Sequence, residues 1–426
     1  MIGSPDMEEK NVLRSIQEVL ANMPSDWLKL TTHRLDIYEE ERAKTQFLEA
    51  FERLLQDGGA GPEAWATLPT AYDYIRLGHP LSSILEWAIA RLNGLHADSV
   101  ISFSSRTMPV LAVLRKNLLD KKQTRIIHTE DLPAHFDAAI LHAVYGYAFE
   151  LVRMDEGEEI PAFSGSTILL SQQQLFGKVD LPANVDFVVG THARMGSVMM
   201  VHGKANAAYI AEIQHVRRRE SIAMTPADCL LALQMMVDGL SVPHVEHDRA
   251  TDIARVRASI QQITNAATPA LLASSGLSMQ YAIMMGLIHD AQEVHKGKNI
   301  RFIVPPNCYG GTNDQARRVA DCNEQVEIVD LLVDGDNDMV RSLETILDKV
   351  AKEDAIPYII AEIPTNPRVE VPDLEALRDV LGKKRRTGAG SVAVDPVFIL
   401  DQTFCPNVHF LGDGDLLSTV RTIAYV

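Results

Sequence analysis

Residues 358–371 read YIIAEIPTNPRVEV. The run from Tyr358 to Ala361 is apolar without alternation, which is how a strand reads when both of its faces are covered. It passes into Glu362 and then Pro-Thr-Asn-Pro with no ordinary hairpin turn. Pro364 and Pro367 fix the backbone and remove donors where the strand stops, so Asn366 is held on a stiff loop. A stiff polar loop at a strand end suits a ligand.

Working outward, PALLASSG, NIRFIVPPN, QVEIVDLLVD, VFILDQTF and TVRTIAYV also read as apolar strands, with helices such as SLETILDKVAKE between them. Strands alternating with helices predict an α/β fold with a mostly parallel sheet covered on both faces. The first half of the chain repeats the pattern. SVISF, TRIIHT, STILLS and VDFVVGT read as strands, and SSILEWAIARLNGL as an amphipathic helix. Residues 8–56 carry helical periodicity and end at the Gly-rich QDGGAGP, and a helical stretch over about 205–265 separates the two halves. The expected organisation is a helical segment over 1–60, one α/β unit over 61–250 and a second over 251–426. A faint internal repeat links the units: SVISFSSRTMPVLAVL (99–114) and ALLASSGLSMQYAIMM (270–285) are both strand, Ser-Ser, helix.

Composition narrows the function classes. The 426 residues are 46% apolar and 23% charged, ordinary for a folded chain. A formal charge of −17 argues against nucleic acid, which needs clustered Lys and Arg on a basic face. The basic runs Arg217-Arg218-Arg219 and Lys383-Lys384-Arg385-Arg386 read as solvated helix ends or loops. With no membrane-length apolar run and with acids near the N-terminus, the expectation is a cytoplasmic protein without a membrane partner. Cys229, Cys308, Cys322 and Cys405 show no metal-ligand spacing and read as reduced thiols.

Four stretches in the second half carry chemistry. In ASSGLSMQYAIMMGL, Gly276 and Leu277 open a helix after a strand, where free N–H groups make an anion site, although Ser and Gly serve equally as a plain cap. In VPPNCYGGTND, Gly310 and Gly311 allow a tight turn that displays the Tyr309 ring as a stacking surface, or lays it over the core. VFILDQTFCP ends a buried strand in Asp401, where an acid needs a cationic partner. Asp395 competes, but the following Pro396 marks it as a loop residue.

Taken in order, Ser-Ser-Gly, Tyr-Gly-Gly-Thr, Glu-x-Pro-Thr-Asn-Pro and Asp-x-Thr-Phe resemble the pyridoxal-phosphate enzymes of cysteine and methionine metabolism. That transsulfuration family contains cystathionine gamma-synthase, the cystathionine lyases, methionine gamma-lyase and O-acetylhomoserine sulfhydrylase. The resemblance covers about 265–426 and implies aspartate-aminotransferase-like (type I) large-domain units. It implies pyridoxal 5'-phosphate as cofactor, its phosphate on the Gly276 and Leu277 amides, Tyr309 stacked on the pyridine ring, Asn366 at the ring hydroxyl and Asp401 paired with the protonated ring nitrogen. Leu277 stands where the family usually has Met. The acid would keep the ring an electron sink for a carbanion at the substrate's α-carbon.

The first unit resembles the same family in degenerate form. YDYIRLGHPLSSILEWAIARLNGL is similar to its Tyr-x-Arg-x-Gly-Asn-Pro segment, with His79 replacing Asn. The resemblance implies that Tyr74 and Arg76 bind cofactor phosphate, in the family by reaching into a neighbouring subunit of a homodimer or larger homo-oligomer; the plainer alternative is that Arg76 pairs on the surface. Arg106 replaces the cradle glycine, TEDLPAHF replaces Tyr-Gly-Gly-Thr, and Ser171 or Gln172 stands where the acid should be. Arg194, always protonated, stands at the place of the cofactor lysine. The second unit has no lysine after Asp401 either; the last is Lys384. No catalytic residue is therefore assigned, and a chain ending on the strand TVRTIAYV reads as part of a longer polypeptide. Three readings stand: a transsulfuration-type enzyme performing β- or γ-elimination or γ-replacement on a sulfur amino acid or activated homoserine, a pseudoenzyme completing an active relative's site, or an aminotransferase-like enzyme. DGDND (334–338) lacks the Gly and Glu of a calcium loop, HVEH (244–247) lacks zinc-protease spacing, and GDGDLLS (412–418) has no helix after it.

Overall fold

The computed structural model describes residues 5–29, 40–58, 61–69, 71, 76–133, 136–155, 157–172, 176–239, 249–334, 338–365, 369–412 and 414–426. Tyr74, Asn366, HVEH and the centre of DGDND lie outside the described residues. The chain divides into two compact units, residues 1–138 with 147–245, and residues 139–146 with 246–426. Among the described residues no helix is long and apolar enough to cross a membrane, and no group of His, Cys, Asp or Glu could hold a metal ion.

In the first unit, α1 (Pro5–Asn22), α2 (Glu40–Gln56), α3 (Pro62–Trp65) and α4 (Pro80–Leu92) lead into β1 (Val100–Phe103), α5 (Met108–Leu119) and β2 (Thr124–His128). Then come α6 (Ala138–Ala143), which from residue 139 onward belongs to the second unit, and, back in the first, β3 (Glu150–Arg153), β4 (Ser166–Ser171), β5 (Phe187–His192), β6 (Gly196–Val201), α7 (Ala208–Glu220) and α8 (Pro226–Asp238). The sheet order is β1-β6-β5-β4-β2-β3. The pairs β2–β3, β2–β4 and β4–β5 are parallel, and β6 is antiparallel to both its neighbours. One core joins the inward faces of α1, α2, α4 and α8 to the sheet. Within it the Phe51 and Trp87 rings meet edge-on at 5.1 Å.

The second unit holds α9 (Arg249–Thr264), α10 (Gly276–Val294), β7 (Ile300–Val304), α11 (Gly310–Asp321), β8 (Val326–Asp330), α12 (Met339–Lys352), β9 (Ile356–Glu362), α13 (Leu374–Gly382), β10 (Val397–Asp401) and β11 (Thr422–Tyr425). Its five strands run in the order β11-β10-β9-β7-β8, all parallel. Period-two alternation divides each strand between two covered faces. Ile359, Ala361, Phe398 and Leu400 pack with Leu343 and Leu347 of α12 and Leu377 and Leu381 of α13. On the opposite face the Tyr358 hydroxyl donates to the Leu287 carbonyl of α10 at 3.2 Å. Both faces are covered, as the unalternating sequence of this strand requires.

The structure corrects two expectations. PALLASSG is not a strand: residues 269–274 have no regular structure and are mostly exposed, and among the described residues no strand lies beside them to complete a ladder. Arg217 ends α7 as a helix-end residue should, but it is fully buried rather than solvated, with its guanidinium 2.8 Å from Glu86 Oε1. The run Lys383–Arg386 does lie in a loop, where Lys383 pairs with Glu344 at 2.7 Å and Arg385 with Asp348 at 2.7 Å.

Candidate functional site

The carboxyl ends of β9, β10 and β11 carry Glu362, Asp401 and Tyr425 in one register row, so the three side chains stand on the same face of the sheet. The helices on that face begin beside them. Ser275 caps α10, its hydroxyl accepting from the Ser278 amide at 3.1 Å. That cap leaves the Gly276 and Leu277 amides without a partner among the described residues. A Cβ built at Gly276 would meet nothing within 4 Å, so space lies open over the helix start. Leu277 itself is 5% exposed and contributes its backbone rather than its side chain to that space.

Tyr309 precedes the first turn of α11, and the residue is 38% exposed. Its position is fixed from below: the Tyr309 amide donates to Glu362 Oε1 at 2.7 Å. Glu362, 6% exposed, thus meets the positive end of a helix, where a buried carboxylate is best tolerated. Burial, and then the same carboxylate, push the Cys308 thiol up to about 12, which removes it as a nucleophile at neutral pH. Asp401 Oδ1 accepts from the Thr403 amide at 3.0 Å and the Thr403 hydroxyl at 2.6 Å. Burial, and then the Asp401 carboxylate, hold the Tyr425 phenol far above its ordinary range, so it stays protonated and donates to Gln280 Oε1 at 3.0 Å. Asp395 stands before the start of β10, at the opposite edge of the sheet, paired with Lys384 at 2.5 Å.

Two buried amides align the helix starts. Gln280 of α10 donates to the Thr312 carbonyl of α11 at 3.3 Å, and Gln315 of α11 donates to the Leu277 carbonyl of α10 at 2.9 Å. Sequence reading missed Glu362 as a support, and it missed Gln280, Gln315 and Tyr425 altogether. Glu362 was findable, because an acid ending an apolar strand needs a donor. The two glutamines carry no local signal, since each partner lies more than thirty residues away in sequence.

In the first unit, Arg76 is buried, 6% exposed, which excludes the surface-pair reading. Arg194 sits in the turn joining β5 to β6, where its amide donates to His192 Nδ1 at 3.2 Å. Ser171 ends β4, and Gln172 follows it.

No family model and no curated protein matches the chain. Among solved structures it is similar to cystathionine gamma-lyase from yeast, at 12% identity and a TM-score of 0.35, covering 62% of this chain and 69% of that one. It is also similar to cystathionine gamma synthase from Xanthomonas oryzae pv. oryzae in complex with aminoacrylate and cysteine, at 12% identity and a TM-score of 0.33 over 60% and 68% of the two chains.

Proposed function

We propose that the second unit binds pyridoxal 5'-phosphate, and that the protein serves transsulfuration-type chemistry: β- or γ-elimination, or γ-replacement, on a sulfur amino acid or an activated homoserine. One observation carries the reading. Unpaired amides at Gly276 and Leu277, the half-exposed Tyr309 and the carboxylate of Asp401 stand at one carboxyl edge of a parallel sheet, where ligands of such sheets bind. They match the phosphate, the aromatic face and the protonated nitrogen of that cofactor, which when bound supplies an electron sink for charge at an α-carbon. The Gly276 and Leu277 amides hold the phosphate at the positive end of α10. Tyr309 packs on the ring, positioned by Glu362. Asp401 keeps the ring nitrogen protonated, and Thr403 fixes the rotamer of that acid. Asn366 contacts the ring hydroxyl, and Tyr74 and Arg76 serve the phosphate within a homodimer or larger assembly.

A second reading is a pseudoenzyme completing the site of an active relative, supported by Arg194, always protonated and unable to form a Schiff base, where the resemblance puts the first unit's cofactor lysine. Only the first reading requires this chain to bind the cofactor by itself. Equilibrium dialysis of the full chain against pyridoxal 5'-phosphate tests that requirement. Saturable binding is expected, weakened about tenfold or more in Asp401→Asn and in Tyr309→Ala, which corresponds to roughly 1.4 kcal/mol each. Absence of binding, or equal binding by both variants, would discard the assignment. Co-purification with a lysine-bearing relative would favour the pseudoenzyme.

A further inference from the structure

We propose that Gln280 and Gln315 are positioning residues that set the distance between the phosphate cradle of α10 and the aromatic platform of α11, so that the second unit binds a ring and a phosphate tightly only when one molecule carries both. The inference rests on the cofactor assignment above and goes beyond it, because both side chains are fully buried and act through the backbone of other residues.

The two subsites sit on different helices. The Gly276 and Leu277 amides open α10, and Tyr309 stands before the first turn of α11. Each glutamine reaches from one helix to the first turn of the other. Gln280, one turn after Gly276, donates to the Thr312 carbonyl at 3.3 Å, and Gln315 donates to the Leu277 carbonyl at 2.9 Å. Leu277 is itself a cradle residue, and the Thr312 amide bonds back to the Tyr309 carbonyl at 2.9 Å. Each bond therefore ends on, or one turn from, a residue of the cradle or the platform. A single tie would leave a pivot, whereas two ties running in opposite directions fix both the slide and the rotation of one helix start against the other. A third bond extends the same carboxamide toward the acid. The Tyr425 hydroxyl donates to Gln280 Oε1 at 3.0 Å, and Tyr425 is the register partner of Asp401 on the neighbouring strand.

Packing alone does not call for amides at these places. The other buried residues of the two helices include Leu277, Met284 and Ile288 of α10 and Ala316 and Val319 of α11. A buried carboxamide costs free energy unless its polar atoms are met, while Leu or Met of similar volume fills the space without that demand. What an amide adds is direction. Hydrogen bonds hold a distance and an angle, where apolar contacts tolerate a slide. A defined separation matters for this ligand class because its ring and its phosphate are covalently joined. Once one subsite is filled, filling the other becomes intramolecular, and that gain vanishes when the two subsites stand at the wrong spacing.

Equilibrium dialysis of the full chain, of Gln280→Met and of Gln315→Met uses three probes: pyridoxal 5'-phosphate, inorganic phosphate, and pyridoxine, which carries the ring without the phosphate. Each variant should bind pyridoxal 5'-phosphate about tenfold more weakly or worse, while its affinities for the two fragments stay within about twofold of the parent's. The induced circular dichroism of the bound ring should shrink in both. The double variant should lose little more than either single one, because breaking one tie already frees the pair. Equal binding of pyridoxal 5'-phosphate by parent and variants overturns the inference and leaves the cofactor assignment standing. An equal weakening of all three probes, or failure of both variants to fold, overturns it by marking the pair as structural; if only one fails to fold, the other decides. A parent that holds neither fragment overturns it too, since a spacer acts only between two working subsites. A parent that does not bind pyridoxal 5'-phosphate removes the cofactor assignment and this inference together.

Discussion

At His79 one ring meets two demands. Nδ1 accepts from the Ser82 amide at 3.2 Å, capping α4, so Nε2 carries the proton and donates to the Met224 carbonyl at 2.7 Å. Burial pushes the ring down from 6.5 to about 4, since a second proton would charge it where water cannot reach and would abolish the cap. The folded pKa lies below the unfolded one, so as pH falls the unfolded chain protonates first. The stabilisation is whole above pH 6.5 and drains away between 6.5 and 4, about 3 kcal/mol in all for a difference of that size. Asn at this position keeps a cap acceptor and does not titrate. Chemical denaturation at pH 7 and pH 4.5 should show that His79→Asn loses roughly 2 kcal/mol less than the parent on acidification; an unchanged loss would remove His79 as the cause. The sequence marked His79 only as a departure from an Asn-containing segment. Its partner stands 145 residues away, and no local spacing encodes that.

Between elements, α2, α4, β1 and α7 are joined by one buried charge cluster. Glu86 Oε2 takes Lys44 at 2.6 Å, while Oε1 takes Arg217 at 2.8 Å and the Ser102 amide and hydroxyl at 2.8 Å each. The four bonds offset the cost of burying the acid and hold its pKa near 2. Removing Glu86 leaves two buried cations facing each other, so Glu86→Ala should cost about 3–5 kcal/mol in urea unfolding. Lys44→Met should cost less than half of that, because Glu86 keeps Arg217 and Ser102; equal costs would mean that the pairs are not coupled through Glu86. Element types were legible where apolar runs were long, as in β2, β4, β5, β7 and β9. The strands β3 and β6 escaped notice. Glu150–Arg153 is largely exposed and charged at both ends, and Gly196–Val201 follows β5 after only three residues, too close for a separate turn signal. Gly196 makes that turn possible, with φ at +102° and a Cβ position only 2.1 Å from the Phe103 carbonyl oxygen. PALLASSG erred the other way, because strand propensity by itself does not make a strand.

Across the whole molecule, the sequence conveyed two α/β units and the order of the candidate site's parts, because both are written in local runs. It did not convey that residues 139–146, inside the first unit's stretch, belong to the second, where Tyr145 meets the Tyr281 ring edge-on at 6.2 Å. Tertiary partners decide such matters. The division into units has a thermodynamic consequence. The groups whose pKa is displaced across the pH 4–6.5 window, His79 and His192 downward by burial and Asp228 upward by burial, all lie in the first unit. Asp228 acts against the two histidines, which leaves a net loss of stability on acidification in that unit. The proposed cofactor contacts at Gly276, Leu277, Tyr309 and Asp401 all lie in the second. Scanning calorimetry should therefore resolve two transitions with different sensitivities. Acidification from pH 6.5 toward 4.5 should lower the first unit's transition. Pyridoxal 5'-phosphate at a hundred times its dissociation constant should raise the second unit's by about 2.7 kcal/mol, roughly 5–10 °C for a unit of this size. A cofactor that raises the acid-sensitive transition instead would place the binding site in the first unit, and Asp401→Asn would then leave the shift unchanged.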